Sequence, residues 1–165
     1  MSALSFLSPS RCEPGTLESP LRRALDGADS EVLHDLSLDG KVEVRGDLDL
    51  VEPLAGEELV RLSPRRGLLL TNGDPTEAVE RLRGQGVLAY DATGALAGVA
   101  VEGERLMRRL TDLDLDRLPA AGPFARMTAV ILRDGGESFR VYVPQELGHY
   151  VAEAVLDALA GLENV

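Results

Sequence analysis

The chain predicts an α+β fold of two fused, ferredoxin-like split βαβ halves, with antiparallel sheet and the helices on one side of it. Three observations predict it. From residue 67 onward the segments run strand, helix, strand, strand, helix, strand, strand, helix. The strand segments are short, alternating or continuously apolar, and bounded by turn residues. The last helix repeats its apolar positions at i, i+3, i+4 and i+7, which marks one wide buried face.

The elements follow in order. Residues 1–16 are rich in Ser, Pro and Gly without a period, and are expected to form a flexible arm ahead of one domain over residues 17–165. Ser19-Pro20 offers an N-cap and a first-turn proline, and Leu21, Ala24 and Leu25 follow at helical spacing until Gly27. Residues 32–38 fit either helix or strand and end in a turn at Asp39-Gly40. Lys41-Val42-Glu43-Val44-Arg45 alternates strictly, so Val42 and Val44 are expected inside. Residues 47–58 are acidic and broken by Pro53 and Gly56, which predicts a loop. Residues 59–62 and 67–71 predict strands joined by a turn at Ser63-Pro64-Arg65-Arg66.

Asp74-Pro75-Thr76-Glu77 is a variant capping box, and Ala78, Val79 and Leu82 then share one helical face until Gly84 or Gly86. Residues 87–90 read as a strand. Residues 96–101 are small and apolar with Gly98 inside, which suits a central strand that something approaches closely. Residues 103–110 predict a helix with Leu106, Met107 and Leu110 inward, and residues 113–119 lead out of it. Residues 127–132 and 139–143 predict a hairpin about a turn at Asp134-Gly135-Gly136. The final helix places Leu147, Tyr150, Val151, Ala154, Val155, Ala158, Leu159 and Leu162 inward, and Glu146, Glu153 and Asp157 outward.

Composition bounds the function. The 165 residues fit one domain, or two small halves sharing a core, and 44% hydrophobic content is enough to fill it. Aromatics are only 4% with no Trp, so Leu, Val and Ala must build that core. A net charge of -11 repels polyanions, which argues against nucleic acid and anionic membrane surfaces as partners. No apolar run approaches the roughly 18 residues of a membrane span. The short apolar stretch at residues 3–7 has no basic flank before it, so it is not expected to act as a signal peptide. The lone Cys12 has no internal disulfide partner, and the expected address is cytoplasmic.

Chemistry-bearing patterns are sparse. His34 and His149 stand without companions at ligand spacing, so a surface or capping role is expected for each, and no metal. Cys12 lacks a second cysteine and a positioned base. Gly94, Gly98 and Gly103 do not space as a dinucleotide loop and enter a strand instead of leaving one. Asp112, Asp114 and Asp116 alternate through a loop and are expected to form a solvated rim.

Three stretches carry a resemblance. Asp35, Ser37, Gly40, Lys41, Val44 and Gly46 match D-x-S-x-x-G-K-x-x-V-x-G. Tyr90-Asp91-Ala92-Thr93-Gly94 opens a segment reaching Gly103, and residues 133–144 contain Asp134-Gly135-Gly136-Glu137 and then Phe139, Tyr142, Val143 and Pro144. In this order they resemble the aminomethyltransferase (glycine-cleavage T-protein) folate-binding-domain family, most closely the sarcosine oxidase gamma subunit. The resemblance implies that family's fold, tetrahydrofolate as the ligand in question, and Tyr90, Arg133 and Glu137 as the folate-binding candidates.

The departures are specific. The family's carboxylate hairpin would lie between Gly46 and Gly67, where this chain has its acidic, proline-broken loop; Asp47 and Asp49 lack the paired glycines. Aligned on Phe139, Gly136 stands at the pterin-contacting position, with Glu137 one place away, and a one-place shift on a strand reverses a side chain's direction. No catalytic residue is therefore assigned. The implied role is a non-catalytic accessory subunit beside flavin-dependent amine oxidase-type partner subunits, in a sarcosine oxidase-type oxidoreductase complex. A stand-alone folate-binding carrier or regulator is the alternative, ahead of an aminomethyl transferase.

Overall fold

Residues 18–26 and 32–163 are described by the computed structural model. The expected arm and Gly27 lie outside the described residues. The helices are α1 (Arg22–Leu25), α2 (Thr76–Gly84), α3 (Glu104–Leu110) and α4 (Gly148–Glu163). The strands are β1 (Leu33–Asp35), β2 (Gly40–Arg45), β3 (Glu57–Ser63), β4 (Arg66–Thr71), β5 (Leu88–Asp91), β6 (Leu96–Glu102), β7 (Ala120–Phe124), β8 (Met127–Gly135) and β9 (Ser138–Pro144). They form two sheets, ordered β3-β4-β2-β5 and β1-β6-β9-β8-β7, with every neighbouring pair antiparallel.

The two split βαβ units are present. The strands β4 and β5 flank β2 and are joined by α2, while β6 and β8 flank β9 and are joined through α3 and β7. Burial follows the same plan in three clusters. Val42, Val44, Leu69, Ala89 and the inward residues of α2 fill one, and Val99, Ile131, Phe139, Val141 and the inward residues of α3 and α4 fill another. A third lies between the sheets, where Val60, Leu68 and Leu70 meet Leu132 and Tyr142. The sheets thus pack face to face, with helices outside both. Among the described residues no helix is long and apolar enough to cross a membrane.

Local signals explain most boundaries. The Asp74 carboxylate accepts from both the Thr76 N–H (2.9 Å) and the Thr76 hydroxyl (2.6 Å) and fastens the turn ahead of α2, which begins at Thr76, one residue after the first-turn proline that the capping pattern expects. Ser19 Oγ accepts from the Leu21 N–H at 3.1 Å and fastens the turn ahead of α1. Four features differ from expectation. Lys41 is fully buried, because the second sheet covers the face that strand alternation turns outward. The segment Ala120–Phe124 forms β7 despite its weak propensity, because β8 pairs with it and Pro123 is tolerated at a sheet edge. Leu147 sits in a 3-10 turn ahead of α4, and Tyr150 faces out while Ala152 is buried. Gly148 explains that offset: a Cβ there would meet Ala97 and Pro20 at 2.9–3.0 Å, so α4 lies close on the sheet at its first residue.

Glycine substitutions separate packing from propensity. A Cβ on Gly40 would lie 2.3 Å from the Gly73 carbonyl oxygen, whereas one on Gly84 meets open space. In urea unfolding, Gly40→Ala is expected to cost about 1–3 kcal/mol. Gly84→Ala, at the end of α2, is expected to gain up to about 1 kcal/mol.

Candidate functional site

The three motifs converge on the seam between the sheets. The chain passes from β1 to β2 through residues 36–39, and from β5 to β6 through residues 92–95. These crossovers are tied to one another. Asp35 Oδ1 accepts from the Ser37 N–H (2.9 Å), and the Ser37 hydroxyl and the Gly98 backbone exchange two bonds of 3.3 Å. The Lys41 carbonyl accepts from the Ala92 N–H (2.8 Å), and the Lys41 N–H donates to Thr93 Oγ1 (3.1 Å).

Lys41 closes the arrangement. Its Nζ donates to the carbonyls of Ser37 (3.0 Å) and Asp39 (2.6 Å), and it stands 6.0 Å from the centre of the Tyr142 ring. Burial lowers its pKa to about 8, against the opposing pull of Asp39, Asp35 and Asp91. The first motif thus reads as a structural device: its Asp, Ser, Gly and Lys each fasten the crossing of the chain between sheets.

A cavity of about 390 Å³ opens beside this seam, between the sheets, with Leu36, Gly40, Glu58, Thr71, Arg140 and Tyr142 in its lining. The space left by Gly98 is not part of it. A Cβ on Gly98 would lie 2.8 Å from the Tyr142 ring and 3.1 Å from Leu36, so those side chains fill the gap. Arg140 joins the sheets by binding Asp134 on its own sheet and Glu58 on β3. Burial works against its charge, but these two carboxylates outweigh it and hold the guanidinium protonated above its ordinary range. Burial pushes the Tyr142 phenol up. Glu57 is held by Arg81 and Glu58 by Arg140, so the lining carries three carboxylates, Asp39, Glu57 and Glu58, against the one guanidinium of Arg140.

The sequence-derived candidates lie apart. Tyr90 is half-exposed on the edge strand β5 of the four-stranded sheet, opposite Glu43. Arg133 belongs to the other sheet, over the Phe139 ring at 5.3 Å. It donates to the Gly136 carbonyl, Glu104 and Asp116. Glu137 is exposed in the β8–β9 turn, and its backbone carbonyl accepts from the Gly103 N–H (2.8 Å). Arg133 and Glu137 are therefore neighbours on one hairpin, and Tyr90 does not join them. Asp47 accepts from the Asp49 N–H, and Asp49 pairs with Arg61, so both carboxylates serve a local turn. His34 is exposed on β1, and His149 reaches Glu153 on α4 at 3.2 Å. No metal-ligating cluster occurs among the described residues. Lys41, Arg140 and Tyr142 are the central residues that sequence reasoning passed over. The available signals were the positions of Lys41 inside the first motif and of Tyr142 inside the third.

No family model matches the chain, and no curated protein sequence does. Among solved structures it resembles a chain of the heterotetrameric sarcosine oxidase from Corynebacterium sp. U-96. The TM-score is 0.76 at 14% identity, covering 88% of this chain and 95% of that one. It also resembles the glycine cleavage system aminomethyltransferase T from Bartonella henselae, with TM-score 0.55 at 16% identity, over 83% of this chain and 48% of that one. The chain spans about half the length of the transferase. At these identities the likeness is one of fold, and the fold is the aminomethyltransferase type that the three motifs imply.

The Lys41 ammonium supplies a test of the seam. Its ordinary pKa of 10.5 falls to about 8 in the folded chain, so between those values the folded state binds fewer protons than the unfolded one. Stability owed to this group is therefore complete above 10.5 and lost as pH falls through 8. Relative to Lys41→Met, the wild-type chain should gain up to about 3 kcal/mol across that window, read by denaturant unfolding.

Proposed function

We propose that this chain is a non-catalytic accessory subunit with the aminomethyltransferase folate-binding fold, acting in a sarcosine-oxidase-like one-carbon complex beside flavin-dependent amine oxidase-type subunits. One observation carries this reading: the overlay covers 95% of a chain from a heterotetramer but only 48% of the transferase. The site geometry supports it. Tyr142 and Leu36 occupy the space at Gly98, and the remaining cavity is carboxylate-rich, which disfavours the anionic glutamate tail of a folate. The β3–β4 turn carries Pro64 and Arg65 at its tip and no carboxylate. Leu50, Leu54, Leu88 and Tyr90 are each about half-exposed, in keeping with surface held for a partner. A cytoplasmic address fits this role.

A second reading has one observation in its favour, the open cavity of about 390 Å³ between the sheets. In that reading the chain is a stand-alone tetrahydrofolate-binding carrier or regulator; the candidates Tyr90, Arg133 and Glu137 do not line that cavity, so its own lining would hold the ligand. Two measurements separate the readings. Affinity purification of the tagged chain from its native host is expected to bring down flavin-containing subunits in fixed ratio. Calorimetric titration of the isolated chain with tetrahydrofolate is expected to give no binding heat. Recovery of the chain alone, with saturable folate binding weakened by a substitution in the cavity lining such as Thr71→Val, would establish the second reading instead.

A further inference from the structure

A second cavity, of about 510 Å³, lies on the helical side of the five-stranded sheet, between α4, the end of α3 and the β7–β8 turn. Leu110, Pro123, Ala125 and Ala154 supply its apolar lining, together with the half-exposed Tyr150. Four charges face it. Arg109 and Arg126 come from α3 and the turn, and Asp112 and Asp157 from the loop after α3 and from α4. Elsewhere nine arginines are held in ion pairs. Among the described residues these two arginines and two aspartates form none, as Arg23, Arg65, Arg83 and Arg105 form none elsewhere; all four are exposed, and what sets the two arginines and two aspartates apart is that they line one cavity. Opposite charges that share a wall without touching leave a gap that a ligand carrying both signs can bridge.

The turn adds an independent observation. Ala125 and Arg126 both take left-handed backbone conformations, at φ of 48° and 69°. A two-residue hairpin turn of this hand favours Asn-Gly, and each non-glycine residue there is strained. Ala125 is packed against the main core, whereas Arg126 is exposed. A guanidinium held at this tip is accounted for by what it can bind.

We infer that this cavity binds a small zwitterion of the amino-acid type, with its carboxylate on Arg109 and Arg126, its ammonium on Asp112 and Asp157, and an apolar side chain against Tyr150. The site is independent of the accessory role, since it needs neither the central cavity nor a partner subunit. The test is an amide-resolved NMR titration of the full chain with L-phenylalanine, alongside 3-phenylpropionate, which lacks the ammonium, and phenethylamine, which lacks the carboxylate. Saturable shifts at Thr111, Arg126 and Ala154 are expected with phenylalanine, and binding at least about tenfold weaker with either single-charge analogue. Arg126→Gly relieves the turn strain, so it should unfold no earlier than wild type yet bind at least about tenfold more weakly, as should Asp157→Asn. Equal binding of 3-phenylpropionate would reduce the site to a simple anion pocket. An absence of saturable shifts, or unchanged binding by Arg126→Gly, would overturn the proposal.

Discussion

Two sheets that pack face to face must be crossed by the chain, and everything at the centre of this molecule depends on how those crossings are held. Each crossover turns sharply and carries backbone groups into a region with little water, where an unpaired carbonyl or N–H is costly. Ser37, Lys41, Ala92, Thr93 and Gly98 satisfy those groups reciprocally. A buried ammonium is an expensive way to do so, as its lowered pKa records. It can nevertheless donate to two carbonyls at once from a side chain long enough to span the turn.

This constraint changes the reading of the motifs. Taken as sequence, they resemble a folate-binding family. Taken as structure, the first two motifs are fasteners, and part of the third becomes a plug. The Tyr142 ring lies where Gly98 leaves room, and Arg140 clamps the sheets through Glu58. A centre organised around its own side chains shifts attention to the outer surfaces, which is the physical basis for proposing a partner in preference to a central substrate.

Much of the fold was legible in the sequence because its signals are local. Alternation placed Val42 and Val44 inside, Asp74 marked the start of α2, and Asp134-Gly135-Gly136 marked the hairpin turn. What escaped was decided by contacts between distant segments. Strand alternation turns Lys41 outward and cannot reveal that a second sheet covers that face. Arg140 and Glu58 lie 82 residues apart and meet only once both sheets exist. The strand β7 is made by its partner more than by its own Ala-Ala-Gly-Pro composition. The left-handed turn at Ala125 and Arg126 carries no glycine to announce it. The folate-binding candidates came from alignment to a pattern, and alignment alone could not separate Tyr90 from the hairpin that holds Arg133 and Glu137.

The seam makes the two sheets one cooperative unit. Native-state hydrogen exchange tests it most directly, by comparing the slowest amides of β2 and β4 with those of β6 and β9. One shared opening free energy is expected for both sheets, since neither can open without breaking the Ser37 and Lys41 ties. Exchange of one sheet through a separate, lower-energy opening while the other stays protected would contradict it.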